Sequence, residues 1–194
     1  MAREGVGILR TGRNNPAARC LFDTGRWQRV AIPYKIGRHT RYLHISNLHA
    51  NPGGTAEDKE RKERLIRWVL EDAATLGDQP VILSMDANMD IWKSQAASAA
   101  LTSGEWFDVG VLYAGTEGPE PTFNASRTWD RKGRQGSTRP DVMLVNKPAK
   151  AALTGFEVVR NLPTCGHLGL KAHFNLARAE GKETTVRATT NYEW

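Results

Sequence analysis

Short apolar runs bounded by polar or turn-forming residues recur along the chain and predict strands. They are Gly5–Arg10 (GVGILR), Arg29–Tyr34 (RVAIPY), Arg41–His49 (RYLHISNLH), Val81–Met85 (VILSM), Asp141–Asn146 (DVMLVN) and Phe156–Arg160 (FEVVR). A last alternating run, Leu168–Leu176, follows Cys165-Gly166-His167. Val81–Met85 is the run expected of a strand buried on both faces. Arg41–His49 alternates, with Tyr42, His44, Ser46 and Leu48 on one side and Leu43, Ile45, Asn47 and His49 on the other. Asn47 and His49 therefore stand together at the end of an otherwise apolar row.

The period changes once, strongly. Over Glu57–Leu76 the residues Leu65, Trp68, Val69 and Leu76 fall at helical spacing with charges opposite them, and NPGGT breaks the chain just before. Gly77 is a natural cap and Pro80 a stop. SQAASAALTSG, from Ser94, predicts a short helix ending at Gly104. KIGRH reads as a turn, Ala114–Thr138 as a loop, and the residues from Ala177 as a polar tail. The order is β-β-β-α-β-α-loop-β-β-β, a mixed α/β layered fold, with one domain over 1–176 and a tail over 177–194.

Composition narrows the classes. A chain of 194 residues, 40% hydrophobic, can bury one substantial core. Its 27 Lys+Arg against 21 Asp+Glu give a net charge of +6, which favours polyanions, although the excess is spread along the chain. The two cysteines, Cys20 and Cys165, lack the spacing of a zinc module or disulfide framework and fit a reducing compartment. No apolar run is long enough to span a membrane, and MAREGVGILRTGR lacks the core of a signal peptide. A soluble intracellular protein, nuclear or cytoplasmic, is the expectation.

Polar residues at strand ends are the candidate chemistry: Asn47 and His49, Asp86 and Asn88, Asp141, and His167. Each has a plain structural alternative. Asp and Asn terminate strands by bonding their own backbone. Asp141 after Pro140 suits a strand start, and His167 beside Gly166 a turn. Their order along the chain is the further information.

That order resembles the endonuclease/exonuclease/phosphatase (DNase I-like) superfamily. Asn47-Leu48-His49 is similar to its Asn-x-His strand end, and Met85-Asp86-Ala87-Asn88 to its Gly-Asp-Phe-Asn. Thr122-Phe123, then Arg139-Pro140-Asp141, resembles its Thr-Phe and Arg-Ile-Asp; Cys165-Gly166-His167 resembles its final Ser-Asp-His. The likeness runs from Gly5 to Leu176 and looks nearest to retroelement-type endonuclease domains. It implies an α/β/β/α sandwich, here N-terminally incomplete, and a metal-dependent phosphodiester hydrolase, an endonuclease on nucleic acid.

The resemblance also implies roles. Asp86 orients or deprotonates the attacking water and is a metal ligand, while Asn88 holds water or phosphate. His167 binds the scissile phosphate, steadied by Asp141, and His49 is a second imidazole or the acid for the leaving group. Asn47, Thr122 and Arg139 belong to the phosphate-binding set, and Mg²⁺ completes the site.

Three departures stand out. The family's principal metal ligand is a Glu after a strand–helix unit ending in Gln-Glu; no such unit precedes GVGILR, and Glu4 does not match it. Gly166 stands where the family has Asp, and Ala87 where it has Phe. A catalytically impaired subunit, with a protein partner covering an incomplete sheet, is therefore the alternative, and a phosphatase on a small ester a weaker one. The basic loop Arg127–Arg139 reads equally as a nucleic-acid track or a solvated charge run.

Overall fold

The computed structural model describes residues 21, 23–123, 138–160 and 166–180. The GVGILR run, Glu4, both cysteines and the cations Arg127, Arg131, Lys132 and Arg134 lie outside the described residues. Of the segment expected as a tail, residues 177–180 fall in a 3-10 turn, Leu176–Glu180, and the rest lies outside them.

Trp27–Ile36 (β1) and His39–His49 (β2) pair as an antiparallel hairpin, longer at the turn than their apolar cores because backbone pairing continues through polar positions. Gly37, at φ +59°, makes the tight connection. The helix Ala56–Ala74 (α1) starts at Thr55, whose hydroxyl accepts from the Asp58 N–H while the Asp58 carboxylate accepts from the Thr55 N–H. It ends two residues before the periodicity suggested, at a Thr75 cap, with Gly77 left-handed beyond it. α1 returns the chain to Val81–Asp86 (β3), parallel to β2, the arrangement that needs a helical crossover.

A 3-10 turn over Ile91–Lys93 then leads to Gln95–Thr102 (α2), Trp106–Asp108 (β4) and Val109–Leu112 (α3). Further along the chain come Asp141–Asn146 (β5), Lys147–Ala152 (α4), Leu153–Val159 (β6) and Gly169–Phe174 (β7). The sheet order is β1-β2-β3-β5-β4, and β6 and β7 make a separate two-stranded sheet. β4, α3 and α4 are too short to leave a period in the sequence. β6 also begins earlier than FEVVR, through a bulge near Gly155.

Two cores follow from strand alternation. One face of the large sheet (Leu48, Val81, Leu83, Met85, Val142, Leu144) packs on Leu65, Ile66 and Val69 of α1 and Ala97 of α2. The opposite face (Leu43, Ile82, Met143, Val145) packs on Phe156, Leu170 and Phe174 of the β6–β7 sheet. β3 and β5 feed both cores, so Val81–Met85 is a central strand, as its apolar run predicts. Fully burying each Val, Leu or Ile there contributes roughly 1.5–3 kcal/mol. Among the described residues the layering is α/β/β.

A polar seam runs beneath α1. Arg29 and Asp72 form a buried ion pair, and His44 Nε2 lies 3.0 Å from Gln79 Oε1. His44 Nδ1, Arg29 Nε and Ser46 Oγ are buried with no hydrogen-bond partner among the described residues. Burial, helped by the Arg29 charge, holds the His44 imidazole below its usual range. Burial also pushes the Asp72 carboxyl up, against the pull of Arg29.

Candidate functional site

Register brings the strand-end residues together. His49 of β2 pairs with Asp86 of β3, and Asp86 pairs with Asp141 of β5. Alternation from Ile82 and Met143 puts all three on the sheet face that meets β6 and β7. Asn47 and Ser84 stand one rung back, and the same cleft takes in Leu168 and Leu170. His49 Nε2 lies 3.7 Å from Asp86 Oδ2, with the imidazole 59% exposed.

Backbone bonds lock this end of the sheet. Ala50 N–H donates to Asp86 O (2.8 Å), and Ala87 N–H to Pro140 O (2.8 Å). Asn88 adopts φ +49°, uncommon for a residue other than glycine. Its N–H donates to Asp86 Oδ1 (3.1 Å) and its side-chain Nδ2 to Ala50 O (3.0 Å). The local structure of Asp86-Ala87-Asn88 is thus a turn, and the same turn stands at the end of the His49–Asp86–Asp141 row. Ala87 is fully buried in the α1-side core.

His167 arrives from a different segment. Its Nδ1 lies 2.9 Å from Asp141 Oδ2 and 3.1 Å from Oδ1, so the carboxylate straddles one ring nitrogen. The Phe123 ring sits 4.7 Å from the imidazole, centroid to centroid. Phe123 exchanges backbone hydrogen bonds with Thr138, and Leu168 N–H donates to Thr122 O at 2.7 Å, pinning the approach to His167. Gly166 has φ +89°, a conformation that suits glycine.

Two residues expected at the phosphate are engaged inside the protein. Thr122 is completely buried, and its hydroxyl accepts the Asp141 N–H (3.1 Å). Arg139 is held by both carboxylate oxygens of Asp108, with Nη1–Oδ2 at 2.7 Å, and that carboxylate also caps α3. Asn47, by contrast, is exposed.

Asp86, Asp141 and His167 each offer a ligand atom, all within 4.8 Å of one another. Two carboxylates suit a hard divalent cation. Beside them a cleft of about 640 Å³ is lined by Asn88, Trp92, Lys93, Phe123, Arg139 and His167 among others. Trp92 is 47% exposed there. The hydrophobic pattern does not single out Trp92, which lines this cleft, or Lys62 and Glu63, which line a neighbouring one with Asn88. The available signal was the lysine: Lys62 falls on the buried stripe of α1 with Leu65, Ile66 and Val69. No helix among the described residues is long and apolar enough to cross a membrane.

No protein-family model matches the chain, and no curated protein matches it by sequence. Solved structures match it by fold. The catalytic domain of Xenopus laevis APE2 aligns at TM-score 0.60 and 17% identity, covering 81% of this chain and 58% of that one. The endonuclease domain of TRAS1, a telomere-specific non-LTR retrotransposon, aligns at 0.56 and 17%, covering 78% and 64%. The 3′ phosphatase NExo from Neisseria, bound to a product DNA hairpin, aligns at 0.51 and 16%, covering 87% and 86%. This chain thus has the endonuclease/exonuclease/phosphatase (DNase I-like) fold, and it spans 58% and 64% of the first two structures.

Proposed function

We propose that the chain is a divalent-metal-dependent phosphodiester hydrolase acting on nucleic acid, with endonucleolytic cleavage as its reaction. The observation that carries this reading is the Asp141–His167 pair standing beside Asp86 at one sheet end. A carboxylate on Nδ1 fixes the tautomer and the orientation of the ring, so Nε2 is the nitrogen that meets a phosphoryl oxygen. Asp86 takes the proton of the attacking water, Asn88 orients that water, and His49 donates a proton to the leaving oxygen. The new P–O bond forms from water as the bond to the leaving oxygen breaks. Asn47, exposed one rung back, contacts the phosphate.

Asp86 and Asp141 would hold the cation, Mg²⁺ in this proposal, and its charge would stabilise the developing negative charge on the phosphoryl oxygens. The cleft with Trp92 and Lys93 favours a nucleic acid over a bare phosphate ester, since an exposed indole offers a stacking surface and a lysine a backbone contact.

The test is nicking of supercoiled plasmid by the purified chain with Mg²⁺, beside the same assay with EDTA and with His167→Ala. Cleavage that both abolish is the expected result. Absence of cleavage with Mg²⁺, Mn²⁺ or Zn²⁺ leaves a binding or structural subunit. Release of phosphate from a small ester, without nicking, supports a phosphatase instead.

A further inference from the structure

Lys62 lies in the buried stripe of α1 and is only 3% exposed. Its ammonium donates to two neutral carbonyls, Gly53 O at 2.7 Å and Asn88 O at 2.8 Å. Taking an ammonium out of water is expensive, and an apolar side chain of equal length would fill this stripe without that penalty. What such a side chain would lose is the grip on Asn88.

Asn88 is where three elements meet. Its N–H bonds Asp86 at the end of β3, its carboxamide bonds Ala50 beyond β2, and its carbonyl bonds Lys62 of α1. A residue at φ +49° persists only where its surroundings over-determine it. The α1 side of this frame is itself rigid. Gly53, at φ +108°, leaves no room for a side chain against Asp58, and Asp58 closes the capping box one turn before Lys62. Glu63, next along α1, accepts from Gln95 N–H and Ala96 N–H at the start of α2 (3.2 and 2.7 Å). The segment after β3 is therefore fastened to α1 on both sides of the Asp90–Lys93 turn.

We propose that Lys62 is a positioning residue for the reaction: it holds Asn88 in its left-handed conformation and thereby aims the Asp86 carboxylate and Asn88 carboxamide. The catalytic half of this inference rests on the phosphodiesterase reading above; the positioning half does not. Because His167 and Asn47 lie on other elements, loss of the ammonium acts on turnover and spares substrate affinity.

Lys62→Met keeps the stem and removes the donors, and Lys62→Arg restores donors. In the Met variant, hydrogen exchange at the Asn88 backbone and carboxamide protons is expected to accelerate about tenfold or more, with β3 amides such as Leu83 unchanged. The kcat for plasmid nicking falls by roughly 10–100-fold with KM within about twofold, and the Arg variant recovers part of both effects. Lys62→Leu, which also lacks donors, carries the same comparison if the Met variant does not fold cooperatively. Unchanged Asn88 exchange in a folded Met or Leu variant overturns the proposal, whatever turnover does. If the parent chain cleaves nothing, the phosphodiesterase reading falls and the Asn88 exchange alone decides the role of Lys62.

Discussion

Asp141 and Arg139 are two residues apart, and their side chains serve different ends. The Asp141 carboxylate straddles His167 Nδ1, whereas the Arg139 guanidinium is spent on the buried Asp108. Their substitutions should separate accordingly. Asp141→Asn keeps the shape but removes the charge that orients the imidazole, and nicking activity should fall about 10–100-fold with little change in thermal midpoint. Arg139→Gln leaves Asp108 buried without its partner, which should lower stability by about 3 kcal/mol in urea unfolding. Its effect on DNA affinity should be small. An Arg139→Gln variant of unchanged stability that no longer binds DNA would return Arg139 to the phosphate.

At the scale of elements, single polar side chains stitch neighbours that the hydrophobic pattern only brings close. Asn146 ends β5 and caps α4, accepting from Ala149 N–H at 3.2 Å. The same carboxamide accepts from Val81 N–H (2.9 Å) and donates to Gln79 O (2.8 Å), so β3 starts where β5 stops. Asn146→Ala should cost about 1–3 kcal/mol by chemical denaturation, because it orphans buried backbone groups. What the sequence discloses about elements has a physical limit. β2 and α1 are long and periodic, and β3 and β5 are nearly unbroken apolar runs, so each is legible from its apolar positions. The His49, Asp86 and Asp141 positions were legible as strand ends, but register, which sets them in one row, is a pairing property that no local window contains. The engagement of Thr122 and Arg139 was hidden for the same reason, since their partners lie at Asp141 and Asp108 in other elements. Lys62 and Asp72 were visible as charges on the apolar stripe of α1; their meaning needed Asn88 and Arg29 in place.

For the molecule as a whole, the seam under α1 predicts an acid-sensitive fold. His44 is held below its unfolded value of 6.5, so just below that pH the unfolded chain binds a proton that the folded chain refuses. Stability is therefore present above that value and falls as pH drops through it. Asp72, held above 3.8 by burial, acts in the opposite sense at the lower end, where the folded chain takes up its proton first. Thermal midpoints should decline between about pH 7.5 and about pH 5.5, and His44→Gln should flatten that decline. Parallel curves for parent and variant would assign the decline elsewhere. The pairing of Phe123 with Thr138 has a consequence of another kind. Phe123 bridges Thr138 on one side and His167 on the other, with Leu168 bonded to Thr122 alongside, so segments far apart in the sequence are spliced at one residue. A change that unseats the Phe123 backbone therefore reaches the His167 imidazole and the Thr138–Asp141 approach together, before either side chain is touched.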